Sequence, residues 1–168
     1  MADSRALLHR IRWCLGLFIL GMVLSGVTAF PLEHETGWLD DLVQTHLNPD
    51  RPTPLLAAWI HAVSTGLQTT YGQYPWIGYG TDWLAFAHII IAIFFIGPFI
   101  NPVRNIWVLQ AGMVACALVI PLAMICGWYR HIPFGWRLID CTFGIVGFVP
   151  LYWGWRLTRQ LEQREKMP

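Results

Sequence analysis

Four long apolar runs, separated by shorter polar segments, dominate the pattern of this chain. They cover residues 13–30, 83–100, 106–126 and 139–155. A helix needs roughly 17 to 25 residues to cross the hydrocarbon core of a bilayer, and its backbone groups must be paired within the segment. Because the runs have this length and do not alternate between apolar and polar positions, they predict four transmembrane helices. The predicted fold is an all-α integral membrane protein, a four-transmembrane-helix bundle that forms a single membrane domain over residues 1–168.

Residues 31–82, between the first two runs, are predicted to form an outer cap over the bundle. Within residues 55–68, apolar positions repeat at the spacing of one helix face: Leu56, Trp59, Ile60, Val63 and Leu67. Within residues 37–47, the positions predicted to face inward are Trp38, Leu39, Leu42, Val43 and His46. These patterns predict two short amphipathic helices at the membrane surface. A turn is expected at residues 48–52, and an ordered interfacial loop at residues 71–80, which are rich in aromatic and turn-forming residues.

Tryptophan placement supports the membrane assignment. Seven of the ten tryptophans stand at or near the ends of apolar runs: Trp13, Trp83, Trp107, Trp128, Trp136, Trp153 and Trp155. Indole combines an apolar body with one N–H donor, so it concentrates where hydrocarbon meets headgroup. The apolar runs therefore have tryptophan at their ends, as is typical of membrane-spanning helices.

Composition excludes a soluble domain and a nucleic-acid partner. The chain is 55% hydrophobic and only 12% charged, whereas soluble domains usually carry about 25% charged residues. Its formal charge of +1 offers no basic surface for nucleic acid. We therefore expect the partners to be the lipid bilayer and other membrane-protein subunits, or a second copy of this chain.

The distribution of basic residues predicts the orientation. With both termini in the cytoplasm, the basic residues inside are Arg5, Arg10, Arg12, Arg104, Arg156, Arg159, Arg164 and Lys166. Those outside are Arg51, Arg130 and Arg137. Because lysine and arginine concentrate on the cytoplasmic side, we expect a multi-pass protein of a bacterial inner membrane with both termini cytoplasmic. The N-terminal region also resembles a signal peptide cleaved after Ala29, but its apolar run exceeds the usual h-region of about 7 to 15 residues, so an uncleaved anchor is expected.

Small residues at helical spacing are expected to allow close helix packing. The pairs are Gly21 with Ser25, Ala111 with Ala115, Gly112 with Cys116, and Gly144 with Gly147. Such residues let two helix backbones approach each other in a membrane. They predict where helices touch and say little about function.

His88 is the single ionisable residue of the second run and the leading candidate for chemistry. It lies six residues after Asp82, which is a further candidate ligand-binding residue, and about 9 Å farther along a helix. Its imidazole could ligate haem iron or a metal ion, bond a quinone carbonyl or carry protons, or it could be a neutral imidazole bonded within the protein. A second haem ligand would have to be His61 or His131, because the other three runs contain no histidine. No cofactor and no metal are predicted, and haem, metal or quinone at His88 is the alternative.

A second candidate group lies between the third and fourth runs. It consists of Arg130, His131, Arg137 and Asp140, with Cys126 and Cys141 at its two ends. The cationic groups could bind an anionic headgroup or substrate, with His131 and Asp140 as proton carriers. The structural alternative is a salt-bridged loop in which Arg137 pairs with Asp140. Cys126 and Cys141 are the one cysteine pair placed so that a disulfide is plausible.

Sequence motifs for a defined chemistry are absent. The chain has no phosphate-binding glycine loop, no His-Glu-x-x-His and no nucleophile elbow, and it lacks the Cys-x-x-Cys pair of thiol oxidoreductases. We therefore expect a non-catalytic accessory, assembly or stabilising component of a larger membrane complex. The alternative is a redox or ligand-binding protein with an outer-side site at His88, completed by His61, His131 or Asp140.

Overall fold

The computed structural model describes residues 2–47 and 53–166, and it is helical almost throughout these ranges. The helices are α1 (Ala2–Ala29), α2 (Leu32–Thr45), α3 (Leu55–Gln73), α4 (Gly78–Phe94), α5 (Ile96–Ile100), α6 (Ile106–Tyr129) and α7 (Phe134–Glu165). A single 3-10 turn, Pro75–Ile77, joins α3 to α4. The turn expected at residues 48–52 lies outside the described residues.

Four helical stretches are long and apolar enough to cross a membrane. They are Ser4–Ala29, Pro75–Ile100, Ile106–Tyr129 and Phe134–Glu165. The number of spans expected from the sequence is thus confirmed, and an all-α membrane protein is the fold class. Each helical stretch is longer than its apolar run because the helix continues into polar residues. In α7, for example, Glu162 accepts hydrogen bonds from Arg159 at 3.1 Å and from Lys166 at 2.7 Å, which supports the charged last turns.

The helix break between α4 and α5 has a local cause in the sequence. Pro98 has no backbone N–H, so the carbonyl of Phe94 loses its partner one turn later. The amide of Phe95, just before the break, is shared between the carbonyls of Ile91 at 3.3 Å and Ala92 at 3.2 Å. The chain then resumes helical geometry for one short turn, α5, in which Pro98 is buried.

The prediction of a loop at residues 71–80 is wrong. The structure compresses it to Tyr74 and the three-residue 3-10 turn, and Gly78 already begins α4. Pro75 supports this geometry because its fixed φ suits the first position of a helical turn. Gly78 lies against the ring of Tyr71, where an added Cβ would be 3.3 Å from the nearest ring atom.

The two helices expected between residues 31 and 82 exist, but their buried faces differ in part from the predicted ones. In α2, Trp38 is 68% exposed and Leu42 43% exposed, whereas Asp40 is buried. In α3, Leu56 is exposed and the buried positions are Ala57, Ile60 and Ser64. The apolar pattern thus predicted the buried faces in part. Ile60 is buried as expected and Leu39, Val43, Trp59, Val63 and Leu67 are half-buried, whereas Trp38, Leu42, His46 and Leu56 are exposed.

The chain comprises two compact units. The first contains Met1–Val23 and Ile90–Pro168, and the second contains Leu24–Ile89. The first unit has an apolar core formed by α1, α6, α7 and the segment around α5. Its fully buried side chains include Ile11, Leu15, Leu109 and Leu151, and Phe18 stacks on Phe95 with ring centroids 4.5 Å apart. The second unit pairs α2 with α3, and the end of α1 with α4.

Two of the four predicted small-residue pairs do form close helix contacts. At Gly144 an added Cβ would lie 2.5 Å from the carbonyl oxygen of Cys116, and at Gly147 it would lie 3.0 Å from the Cys116 thiol. At Gly112 it would lie 2.6 Å from the ring of Phe95. Gly21, by contrast, has nothing within 4 Å of such an atom, so its pairing with Ser25 is not a packing contact. The α6–α7 hairpin therefore depends on glycines of both helices, because Gly112 of α6 also lies against Leu151 of α7, 2.8 Å from where a Cβ would stand.

Replacing Gly144 with alanine should destabilise the protein. Its Cβ would collide with a backbone oxygen, which cannot rotate away, so α6 and α7 must separate; we expect a loss of about 1–3 kcal/mol in the free energy of unfolding. The measurement is the thermal unfolding midpoint in detergent. The matched control is Gly21→Ala, in open space on α1, which should leave the midpoint unchanged or raised. Equal effects of the two variants would contradict the close packing at Gly144.

Candidate functional site

The second unit contains a buried carboxylate that is paired with a histidine. His61 Nδ1 on α3 lies 2.8 Å from Asp40 Oδ2 on α2, and Gln44 donates to Asp40 Oδ1 at 3.1 Å. The Asp40 side chain is 12% exposed and that of His61 60%. Burial raises the pKa of Asp40, but the hydrogen bonds from His61 and Gln44, together with the charge of His61, outweigh it and hold this pKa below its ordinary value of 3.8. The candidate ligand His61 is therefore engaged in holding α2 to α3.

The same unit contains a cleft of about 580 Å³ between the start of α2, the end of α3 and the start of α4. We call it the aromatic cleft and define it by Glu33, His34, Tyr71, Trp76, Tyr79 and Asp82. Tyr71 and Thr81 link their hydroxyls at 2.9 Å across the base of the α3–α4 turn. Trp76 is 72% exposed and Tyr79 62% exposed, so their rings form an accessible wall. Among the sequence-derived candidates, Asp82 is the one that the structure places in this cleft.

His88 lies on α4, and its position defines its tautomer. Its Nδ1 is 2.7 Å from the carbonyl oxygen of Leu84, one turn earlier in the same helix. Since a carbonyl oxygen only accepts, Nδ1 carries a proton, so in the neutral imidazole the lone pair is on Nε2. On the α1 side, Gly26 gives His88 room, because an added Cβ there would lie 3.2 Å from the His88 Cβ. His88 is half-buried, and within the described residues Nε2 has no hydrogen-bonding partner.

The connection between α6 and α7, in the first unit, is closed by Arg137. Its Nε donates to the carbonyl oxygen of Ile132 at 2.9 Å, and its guanidinium carbon lies 5.8 Å from the ring centroid of Phe134. The aliphatic part of the side chain covers Gly127, where an added Cβ would lie 2.5 Å from the Arg137 Cδ. His131 has a left-handed φ of 57°, which costs a non-glycine residue free energy. Arg137 thus acts as a brace of the loop.

Several groups of the predicted second site are not brought together. Arg137 and Asp140 do not pair in the described structure, and Asp140 is half-buried on α7 without an ionic partner there. His131 and Arg137 line a cleft of about 510 Å³ together with Trp128 and Tyr129, whereas Arg130 is exposed beside it. Cys126 is exposed and Cys141 buried, and both are free thiols. The disulfide between them stays a prediction.

Metal-ligating side chains are dispersed over the described residues. Residues 2–47 and 53–166 contain no group of three or more His, Cys, Asp and Glu side chains placed to hold one ion. Within the second unit, His61 is bonded to Asp40 and His88 to its own helix. No hydrogen bond joins these two described histidines to each other.

Sequence reasoning missed three residues that define these sites. Asp40 lies within residues 37–47 but is not among the positions predicted to face inward, and Glu33 and His34 precede that predicted helix. A usable signal was present in the sequence, since Glu33 and Glu35 are acids in a first helical turn, where the helix dipole favours negative charge. The placement of Glu33 and His34 in one cleft with Asp82 could not be predicted from the sequence, because it depends on how tightly the 3-10 turn joins α3 to α4.

The Asp40–His61 pair predicts a specific pH dependence of stability. Because the folded-state pKa of Asp40 lies below the unfolded-state value of 3.8, the stability due to its ionised form is fully present above pH 3.8 and is lost as pH falls through the folded-state value. We expect Asp40→Asn to lower the free energy of unfolding at pH 7 by about 1–3 kcal/mol and to remove part of the acid-induced loss. Unfolding midpoints in detergent from pH 7 to pH 3 measure both effects. Asp41→Asn, its exposed neighbour, should show neither, and identical profiles for the two variants would sink the assignment.

The chain matches no known protein family, no curated protein and no solved structure. Its function therefore has to rest on the side chains described above. These are the paired Asp40 and His61, the aromatic cleft, the free Nε2 of His88, the braced loop at Arg137, and the outward faces of the spans.

Proposed function

We propose that this protein is a non-catalytic accessory, assembly or stabilising component of a larger membrane complex, and that it associates sideways through α6. The observation that carries the proposal is Gln110. Its side chain is exposed on a membrane-spanning helix and has no hydrogen-bonding partner in the described part of the chain. A second transmembrane helix that supplies such a partner would complete this surface.

The exposed surface of α6 is continuous along the helix. Only 6% of its most apolar stretch is buried within the protein, against 17–22% for the other three spans. The exposed residues that follow one face from end to end are Trp107, Gln110, Ala111, Val114, Ala117, Leu118, Pro121 and Leu122. Two alanines beside Gln110 and Val114 keep this face shallow, which suits close approach of another helix. We name these eight residues the α6 face.

Three threonines in the spans show how a polar side chain can be satisfied within its own helix. Thr28 donates to the carbonyl of Leu24 at 2.9 Å, Thr142 to that of Ile139 at 2.6 Å, and Thr158 to that of Gly154 at 2.8 Å. Each hydroxyl is thus satisfied by its own helix and needs no partner in lipid. The amide of Gln110 makes no such bond, and an unpaired amide in an apolar medium costs free energy. A partner helix that bonds this amide would lower that cost.

The environment that we propose is the bacterial inner membrane, with both termini in the cytoplasm. The support is the eight-to-three distribution of basic residues in the sequence and the tendency of such residues to stay on the cytoplasmic side. Exposed tryptophans at span ends, including Trp13, Trp107 and Trp153, fit the level of the lipid headgroups. In this arrangement, α6 faces its partner within the bilayer.

Photo-crosslinking in native membranes tests the proposal. A benzophenone amino acid at Val114, in the α6 face, should give a discrete protein adduct, and the same probe at the exposed Val146 of α7 should label lipid. Gln110→Leu should reduce the Val114 adduct about three- to thirtyfold, since hydrogen bonds between membrane helices contribute about 0.6–2 kcal/mol. Mass spectrometry of the adduct identifies a different protein or a second copy of this chain.

The control for this experiment is Thr142→Val. It also replaces an exposed polar residue within a span, but one whose hydroxyl is bonded to its own helix. It should leave the Val114 adduct unchanged. Lipid adducts alone at Val114, or equal effects of Gln110→Leu and Thr142→Val, would refute association through the α6 face.

A second candidate function is ligand binding at His88, with haem, a metal ion or quinone as the ligand. The observation that favours it is the unprotonated, unpartnered Nε2 in an apolar span, with Nδ1–H bonded to a carbonyl. Metal-ligating histidines commonly carry this second hydrogen bond, which orients the ring. An accessory protein has no need of such an arrangement.

Spectroscopy separates this candidate from the first. If His88 is a ligand, reduced-minus-oxidised spectra, metal analysis or quinone extraction of the purified protein should detect a bound group that His88→Leu removes. His46→Leu is the matched control, because His46 makes the same bond to a carbonyl one turn earlier, at 2.8 Å, but lies outside the spans. A colourless protein without metal or quinone would eliminate this candidate.

A further inference from the structure

The aromatic cleft of the second unit has two carboxylates that no cation in residues 2–47 or 53–166 neutralises. Glu33 and Asp82 line it, both are half-buried, and neither makes an ion pair within the described residues. Asp40, a carboxylate with a structural role in the same unit, is by contrast bonded to both His61 and Gln44. The carboxylates of the cleft are left open to a ligand.

The charge of the whole unit has the same sign. Between residues 24 and 89 the sequence contains six acidic residues and one basic residue, Arg51, which gives a formal charge of −5 with histidines neutral. No lysine or arginine occurs in the described parts of this unit, residues 24–47 and 53–89. Such a field attracts cations and repels anions. Glu33 and Asp82 would repel an anionic substrate or a phosphate group seated deep in the cleft.

The aromatic side chains that line the cleft indicate which kind of cation it would bind. Tyr71, Trp76 and Tyr79 present aromatic rings to it, and those of Trp76 and Tyr79 are largely accessible. An aromatic face attracts an ammonium group, most strongly when the ring is tryptophan. The volume of about 580 Å³ suits a small organic molecule, and the described residues gather no three-ligand group for a bare metal ion.

We propose that the aromatic cleft binds an organic ammonium cation. In this site Glu33 and Asp82 balance the charge of the ligand, and Trp76 and Tyr79 contact its ammonium group through their ring faces. The hydroxyl pair of Tyr71 and Thr81 fixes one wall in place. The same ammonium chemistry is offered by a free amine and by the headgroup of a zwitterionic lipid, so the experiment has to distinguish these two sources.

Titration calorimetry of the full-length protein in a sugar-based detergent provides the first test. The probes are choline, spermidine and 3,3-dimethylbutan-1-ol, a neutral molecule of nearly the same shape as choline. We expect choline or spermidine to bind and the neutral alcohol not to bind. Equal binding of choline and the alcohol would overturn the proposal, and this comparison needs no variant.

Substitutions assign the binding to the cleft. Trp76→Leu should weaken choline binding about three- to tenfold, in line with the usual strength of a cation–π contact, and Asp82→Asn should weaken it at least as much. Matched controls are Trp38→Leu and Glu35→Gln, which change an exposed tryptophan and an exposed carboxylate on α2 outside the cleft. These controls should bind as the wild type does, and a comparable loss in them would overturn the assignment to this cleft.

Nanodiscs distinguish the source of the ammonium group. If a lipid headgroup is the natural occupant, discs of phosphatidylethanolamine should compete, so that choline binds about tenfold more weakly than in discs of phosphatidylglycerol. Native mass spectrometry should then show retained phosphatidylethanolamine that Trp76→Leu releases. Equal choline affinity in both discs identifies a free organic cation instead. Absence of both choline and spermidine binding in detergent and in both discs, without retained phosphatidylethanolamine, would refute the proposal.

Discussion

The structure depends on one constraint, that every backbone polar group in a hydrocarbon environment must be paired within its own segment. Helices satisfy this constraint for the main chain, and this protein extends it to side chains. The hydroxyls of Thr28, Thr142 and Thr158 and the imidazole of His88 all bond to carbonyls three or four residues earlier. These four side chains are thus satisfied by the helix to which they belong. Against this background an unsatisfied amide on an exposed face is a departure that calls for a partner.

The two compact units differ sharply in charge. The second unit holds six of the ten acidic residues and one of the eleven basic residues, so the first holds the remaining four acids and ten bases. The formal charges are therefore −5 and +6, which sum to the +1 of the whole chain. Basic residues of the first unit suit contact with anionic lipid headgroups. The acidic second unit has the opposite preference, and this separation is invisible in the net charge.

Sequence patterning predicted the spans well and the segment between the first two spans poorly. Four runs such as residues 106–126 are long enough that length and hydropathy alone decide their structure, and α6 follows that run closely. In α2 the apolar pattern predicted that Trp38 and Leu42 face inward, but both are exposed. Asp40 is buried instead, and it is bonded to His61, 21 residues later. A pairing between distant residues leaves no periodic trace in either helix. The juxtaposition of Glu33 and Asp82 in one cleft was likewise unpredictable, because it depends on the three-residue 3-10 turn Pro75–Ile77. The sequence of residues 71–80 predicts a ten-residue loop there instead.

The seam between α6 and α7 has a consequence for traffic through the first unit. Where Gly144 meets the carbonyl of Cys116, the two helices touch backbone to backbone, with only the Cys116 thiol beside Gly147. Such a seam leaves no gap for an acyl chain, and no row of side chains along which water could be ordered. At the level of Gly144, a proton or a small molecule therefore cannot pass between α6 and α7.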